Sequence, residues 1–222
     1  GDSSEYGRLI AERYLPSLEA DLVVLSFGAN DAKRVFTPHP AQVDRFRSEQ
    51  QLQEVRQMLM QSALFRHLIR ILTPSPPSAL EGGGDRARVN AVPRERYAAN
   101  LRALIRLSRE HGASHVTLLM LCTPGNYREV AARVARRSNA GFVNGQTHLR
   151  ESIAALSSGT LYPEYVQQME ERYPEFLRRD PLFYVTTDLC HPNRVGHRLI
   201  ADILSAHIKE RMTEGTYDET ST

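Results

Sequence analysis

The chain has 222 residues, of which 41% are hydrophobic and 24% are charged, and its formal net charge is +2. This length and composition predict one globular domain. The weak net charge and the lack of an arginine–aromatic cluster argue against a nucleic-acid partner, so the basic face of residues 128–137 is interpreted as a solvated helix surface. No run of about 20 apolar residues predicts a membrane span.

The first elements in chain order are a helix, a strand, a helix and a strand. An apolar helical face runs over residues 5–18, and Pro16 is expected to end that helix. The apolar, β-branched run 22–27 predicts a strand buried on both faces. A helix over 93–110 and a strand over 116–121 follow, and this alternation predicts parallel βαβ units. Further helices are predicted over 127–140, 144–156, 163–179 and 194–212.

Residues 33–92 form a longer connection than a crossover requires. Amphipathic stretches are followed there by a loop rich in proline, glycine and serine. This insertion is interpreted as either a lid over a pocket or a surface elaboration, and a membrane-surface helix is a less favoured alternative. The domain is predicted to cover 1–212, and the polar residues 213–222 are predicted to form a disordered tail.

The two cysteines, Cys122 and Cys190, are too few for a disulfide framework and lack metal-ligand spacing. The simplest interpretation is that both are small packing residues. Because both are expected near the same edge of the sheet, a single bridge between them remains an alternative. The compartment of the protein therefore stays open.

The sequence Gly28-Ala29-Asn30-Asp31 directly follows the predicted strand 22–27. This position is the carboxyl edge of a parallel sheet, where α/β proteins bind ligands. The amide of Asn30 is a neutral donor that suits a developing oxyanion. An ordinary turn is the alternative, since glycine, asparagine and aspartate all form turns.

A second candidate is Asp188-Leu189-Cys190-His191-Pro192, just before the last predicted helix. An aspartate three residues before a histidine is well spaced to orient the imidazole while the other ring nitrogen acts as a base. The alternative is a capping loop with an incidental histidine. A metal site is a poorer interpretation, because no further ligands appear at suitable spacing.

The chain starts with Gly1-Asp2-Ser3-Ser4, which invites the assignment of Ser3 as a nucleophile. A nucleophile on a strand-to-helix turn needs a buried strand before it, and no residue precedes Gly1 here. Ser3 is therefore interpreted as a decoy. The backbone N–H of Gly1 is predicted to be a second oxyanion donor, at a position where the chain approaches the substrate closely.

Together these motifs resemble the SGNH hydrolase family of GDSL-type lipases and esterases. The Gly28–Asp31 tetrapeptide looks like the third sequence block of that family, and the Asp188–His191 motif looks like the fifth. Gly1 precedes Asn30 by 29 positions, a separation similar to that between the second-block glycine and the third-block asparagine. The similarity covers about residues 1–32, 93–122 and 185–210.

The resemblance implies a three-layer α/β/α, flavodoxin-like fold with a parallel sheet whose first strands are missing from this chain. It implies a serine esterase for short acyl or acetyl esters of a small molecule or carbohydrate, with its nucleophile upstream of Gly1 and with no metal or cofactor. His191 would be the base and Asp188 its orienting group. Asn30 and Gly1 would form the oxyanion hole, with Gly28 and Asp31 in support.

Two rival functions share this resemblance. One is an SGNH-type acyltransferase acting on a sugar, and the other is a binding domain that keeps the fold without the serine. Residues 1–222 alone are predicted to be inactive. They are also predicted to self-associate, because the loss of the first strand would leave strand 22–27 with an unpaired apolar edge.

Overall fold

The computed structural model describes residues 3–44 and 88–215, with side chains up to 213. The strands of the described residues are β1 (Leu22–Leu25), β2 (Arg34–Val35), β3 (Val89–Asn90), β4 (His115–Leu119) and β5 (Gly141–Val143). Three of them form the main sheet, which is parallel and has the order β1-β4-β5, and β2 and β3 form a separate antiparallel pair. The prediction of a parallel sheet is thus confirmed.

The helices agree with the predicted ones except near prolines and at the chain end. The prediction of one helix over 163–179 is wrong, because Tyr173 leaves the helical conformation and Pro174 starts a new helix. The last helix runs to Gly215, so the predicted tail is helical in its first residues, and 216–222 lie outside the described residues. The helices are α1 (Ser4–Tyr14), α2 (Arg94–Glu110), α3 (Gly125–Arg137), α4 (Gly145–Ser157), α5 (Pro163–Arg172), α6 (Pro174–Arg179) and α7 (Arg194–Gly215).

Two apolar clusters lie on opposite faces of the sheet. Leu118 of β4 packs in the first cluster with residues of α2 and α3. The next residue, Leu119, packs in the second cluster with residues of α4, α5 and α7. This alternation follows from the two-residue period of a strand, which sends successive side chains to opposite faces. The fold is therefore α/β with helices on both faces of a parallel sheet, which is compatible with three layers.

The prediction that the first strand is buried on both faces is wrong. Leu22 and Val24 of β1 remain 38% and 39% exposed. The reason is that β1 pairs with β4 on one side and lies at the edge of the described sheet. Helix α1 leaves the apolar side chains of Ile10 and Tyr14 about half exposed. The side of β1 that has no partner strand among the described residues, which is called the open side of the sheet below, is therefore apolar.

The long insertion is only partly visible in the described residues. Its two ends meet in the β2–β3 pair, where Arg34 lies opposite Asn90 and Val35 opposite Val89. Residues 45–87 lie outside the described residues, and with them most of the segment interpreted as a lid. Within the described part of the chain, every helix is too short or too polar to cross a bilayer.

Candidate active site

A cavity of about 480 Å³ opens at the carboxyl edge of the main sheet. Residues 26–30, which follow β1, form one wall, and Cys190, His191 and Pro192 form another. Asn30 and His191 therefore line one common cavity. Much of the remaining wall is apolar and belongs to α1 and to β1, the edge strand of the described sheet.

His191 and Asp188 form a close pair at the rim of this cavity. The Nδ1 atom of His191 lies 2.7 Å from Oδ2 of Asp188. The other carboxylate oxygen accepts hydrogen bonds from the backbone N–H groups of His191 at 2.8 Å and Cys190 at 3.1 Å. The backbone and imidazole donors of His191 hold the pKa of Asp188 below its usual value. An ionised Asp188 favours the proton on Nδ1, which leaves Nε2 as the base.

The segment that carries His191 is a short hairpin-like loop ahead of α7. Thr187 donates its backbone N–H to the carbonyl of His191 at 2.8 Å, and Thr186 pairs with Pro192 in an antiparallel bridge. Asn193 caps α7 by accepting from the N–H groups of Val195 and Gly196, each at 3.0 Å. The cap fixes the start of α7 and, with it, the end of the loop.

A disulfide bond joins Cys122 to Cys190, with 5.1 Å between their Cα atoms. The preferred interpretation of the cysteines as separate packing residues is therefore wrong, and the bridge that was the alternative is present. The bond forms because the two cysteines lie close together, as was expected of residues near the same edge of the sheet. Cys122 follows β4 and Cys190 precedes His191, so both lie at the same edge of the sheet.

The loop that carries Asn30 is held by a buried carboxylate. Asp31 is fully buried, and its oxygens accept from the backbone N–H groups of Ser4 and Gly28, both at 3.0 Å. The hydroxyl of Ser4 donates to Asp31 at 2.5 Å. Burial raises the pKa of Asp31, although these hydrogen bonds oppose the shift. This geometry supports the predicted bracing role of Asp31.

Gly28 occupies a position that other residues would fill only with strain. Its φ is +124°, a conformation that side chains rarely adopt. A Cβ atom there would lie 2.5 Å from Cγ2 of Thr123 and 3.1 Å from the hydroxyl of Tyr97. The supporting role predicted for Gly28 therefore has a steric basis, since the chain turns sharply between β1 and Asn30.

Behind Asp31 lies a polar network that the sequence analysis missed. Glu5 is 2% exposed in its side chain and pairs with Arg96, whose Nη2 lies 2.6 Å from Oε1. Asn100 donates to Glu5 at 2.7 Å and to the hydroxyl of Ser4 at 3.0 Å. Burial raises the pKa of Glu5, but the hydrogen bonds from Arg96 and Asn100 outweigh it and leave the pKa lowered.

The network lies on the buried face of α1. Ser4, Glu5 and Gly7 are the buried residues of this helix, whereas Tyr6 and Leu9 are half-buried and Ile10 and Tyr14 are about half exposed. The sequence does carry a signal, since small and polar residues alternate with bulky ones along the helix. The signal identifies an amphipathic helix without telling which face is inside.

Two serines differ in their relation to the cavity. Ser3 is fully buried, lies with its hydroxyl 2.8 Å from Nδ1 of His39, and does not line the cavity. This placement supports the interpretation of Ser3 as a decoy. Ser26, which the sequence analysis did not consider, directly follows β1, is exposed and lines the cavity with His191. Gly1 lies outside the described residues, so its predicted role stays a prediction.

Residues 3–44 and 88–215 contain no group of three or more histidine, cysteine, aspartate or glutamate side chains that could hold a metal ion. Comparison of the chain with models of protein families, with curated proteins and with solved structures gave no match.

Proposed function

We propose that the protein is a serine esterase with a flavodoxin-like SGNH fold, which hydrolyses short acyl esters of a small molecule or carbohydrate through an acyl-enzyme. The observation that carries this proposal is the shared cavity of Asn30 and His191, with Asp188 on Nδ1 of the imidazole. A neutral amide donor and an oriented base on one cavity are what acyl transfer requires.

Each side chain has one task in the reaction. Nε2 of His191 takes the proton of the attacking serine hydroxyl, and the serine oxygen bonds to the ester carbonyl carbon. Asn30 donates to the oxygen that becomes negative, and Asp188 stabilises the imidazolium. The imidazolium returns its proton to the leaving alcohol, which gives the acyl-enzyme. His191 then takes a proton from a water molecule, which attacks the carbonyl carbon of the acyl-enzyme. The serine oxygen leaves with the proton that the imidazolium returns, and the carboxylic acid is released.

The nucleophilic serine is assigned to a segment that precedes Gly1 and pairs with the free edge of β1. The resemblance supports this assignment, and so does the open side of the sheet. Val24 on β1 and Ile10 on α1 are exposed there, although both are apolar. A strand on this edge would cover them and would end beside Asn30, because β1 itself ends there.

The test uses the full-length protein, expressed with the residues that are encoded upstream of residue 1. The protein is treated with a fluorophosphonate probe, which labels activated serines. Peptide mapping should locate the label on a serine before Gly1, and hydrolysis of p-nitrophenyl acetate should disappear with the label. The matched control is Ser26→Ala, which removes the described serine that lines the cavity. This variant should keep the label and turnover within about twofold.

The other outcomes select a rival. A label on Ser26, or loss of turnover in Ser26→Ala, would overturn the upstream nucleophile. Transfer of the acetyl group to a sugar acceptor in preference to water would identify an acyltransferase. A full-length protein that neither takes the label nor hydrolyses the ester would support a binding domain and contradict the esterase.

A further inference from the structure

The tip of the loop that carries His191 is exposed and contains a strained residue. The side chains of His191 and Asp188 are 73% and 54% exposed. Leu189, between them, has a φ of +68°, and Cys122 across the disulfide has a φ of +54°. Non-glycine residues rarely adopt these left-handed conformations, which persist where the surroundings impose them. The two positions flank one bond, the disulfide between Cys122 and Cys190.

The hydrogen bonds of this tip do not reach the sheet. Among the described residues, Asp188 accepts from Cys190 and His191, and Thr187 bonds to the carbonyl of His191. All of these bonds stay within residues 187–191, and water competes for them at an exposed position. They define the shape of the tip, while the Thr186–Pro192 bridge, the Asn193 cap and the packing of Leu189 against the second apolar cluster connect it to the body of the domain.

The disulfide adds a covalent connection between the tip and the sheet edge. Cys122 follows β4, the central strand, whose two neighbours hold it by backbone hydrogen bonds. Cys190 is the residue directly before His191, so the bond ties the backbone beside the imidazole to the segment that follows the central strand. Both cysteines also line the cavity shared by Asn30 and His191.

We propose that the Cys122–Cys190 disulfide is a positioning device that holds His191 against the cavity, and that its reduction releases the loop and lowers turnover. The turnover part rests on the proposed esterase function. In the reduction, a dithiol gives two electrons and two protons to the bond. Two cysteine thiols form, and the dithiol closes to its own disulfide.

The experiment compares the full-length protein before and after treatment with dithiothreitol, with Cys122→Ser/Cys190→Ser as the matched control. Hydrogen–deuterium exchange reports on the loop without any need for activity. Amides of residues 187–191 should exchange at least tenfold faster after reduction, while those of β4 stay protected. In the control variant the loop should exchange fast from the start, and dithiothreitol should change nothing.

Kinetics separate positioning from a merely structural role. Small displacements of a catalytic group cost up to about 10²-fold in rate, so kcat on p-nitrophenyl acetate should fall about 10–100-fold on reduction, with KM within about threefold. Re-oxidation should restore kcat in the wild type but not in the control. Melting curves in the same samples should stay cooperative.

Several results would overturn the proposal. Alkylation of either cysteine in the untreated protein would show that the bond is absent. Unchanged exchange after reduction would show that the loop needs no tether, and unchanged kcat despite fast exchange would show that the tether does not position the base. Global unfolding on reduction would show that the bond stabilises the whole fold and has no specific role in positioning His191. If the oxidised protein has no esterase activity, the proposed function fails, and exchange alone decides whether the bond holds the loop.

Discussion

The two loops that form the candidate site are held in opposite ways. The Asn30 loop is anchored from inside, where buried Asp31 accepts hydrogen bonds from Ser4 and Gly28. The His191 loop lies outside, with its imidazole 73% exposed, and a disulfide next to that residue connects it to the sheet. One loop depends on a desolvated polar network and the other on a covalent bond.

The difference follows from where each loop lies. Inside a protein, hydrogen bonds are strong and an unmatched polar group is costly, so a satisfied network fixes one geometry. At the surface water replaces the same bonds at little cost, and a covalent tether keeps its effect there. We therefore expect changes at the two loops to affect activity and stability in different proportions.

The largest effect on activity is expected from the exposed loop. His191→Ala in the full-length protein removes the base, and kcat on p-nitrophenyl acetate should fall by about 10⁴-fold or more. The free energy of unfolding should change by less than about 0.5 kcal/mol, because the side chain is exposed. Steady-state kinetics and urea unfolding check both parts. A variant that keeps a tenth of the activity would exclude His191 as the base.

A smaller loss of activity is expected from the anchored loop. Asn30→Ala removes one oxyanion donor, and kcat should fall about 10²–10³-fold, because such a donor acts chiefly in the transition state. KM should stay within about threefold. Asn30→Asp is a useful second variant, because its carboxylate is similar in size to the amide but repels the oxyanion. Its kcat should therefore be no higher than that of Asn30→Ala. Equal losses in binding and turnover would remove the oxyanion role.

The buried network should reveal itself in stability. Glu5→Gln removes the charge facing Arg96, and breaking a buried ion pair costs about 3–5 kcal/mol. Because Arg96 is 38% exposed, we expect the lower end, about 3 kcal/mol, in urea unfolding. Arg106→Gln breaks the exposed pair with Glu110 and is the matched control, with an expected cost of at most about 0.5 kcal/mol. Equal costs would show that burial of the network contributes nothing.

The same variant gives a pH dependence with a defined sign. The pKa of Glu5 is lowered in the folded protein, so its carboxylate contributes stability above its ordinary value near 4.5. That contribution is lost as the pH falls through the lower folded value. The difference in stability between wild type and Glu5→Gln should therefore shrink on acidification. Unfolding measured from pH 7 down to pH 3 checks this, and a difference that grows would contradict the assignment.

The sequence by itself determined the elements whose signals are local. Helix α2 starts after Pro93 and buries Tyr97 and Leu101, as its periodicity predicted. The Asp188–His191 pair was also predictable, because the two residues lie three positions apart in one loop. Such signals need no knowledge of the rest of the chain, since they depend on helical periodicity and on short-range geometry.

Only the tertiary structure decided which distant groups meet. The pairing of Cys122 with Cys190 spans 68 residues, and the network between Glu5 and Arg96 spans 91. The three-residue strand β5 and the two-residue strands β2 and β3 are too short for a recognisable pattern, and their partners define them. The physical reason is common to all of these cases. Which face of α1 is buried, and which side chains share a cavity, depends on surfaces supplied by chain segments far away in sequence.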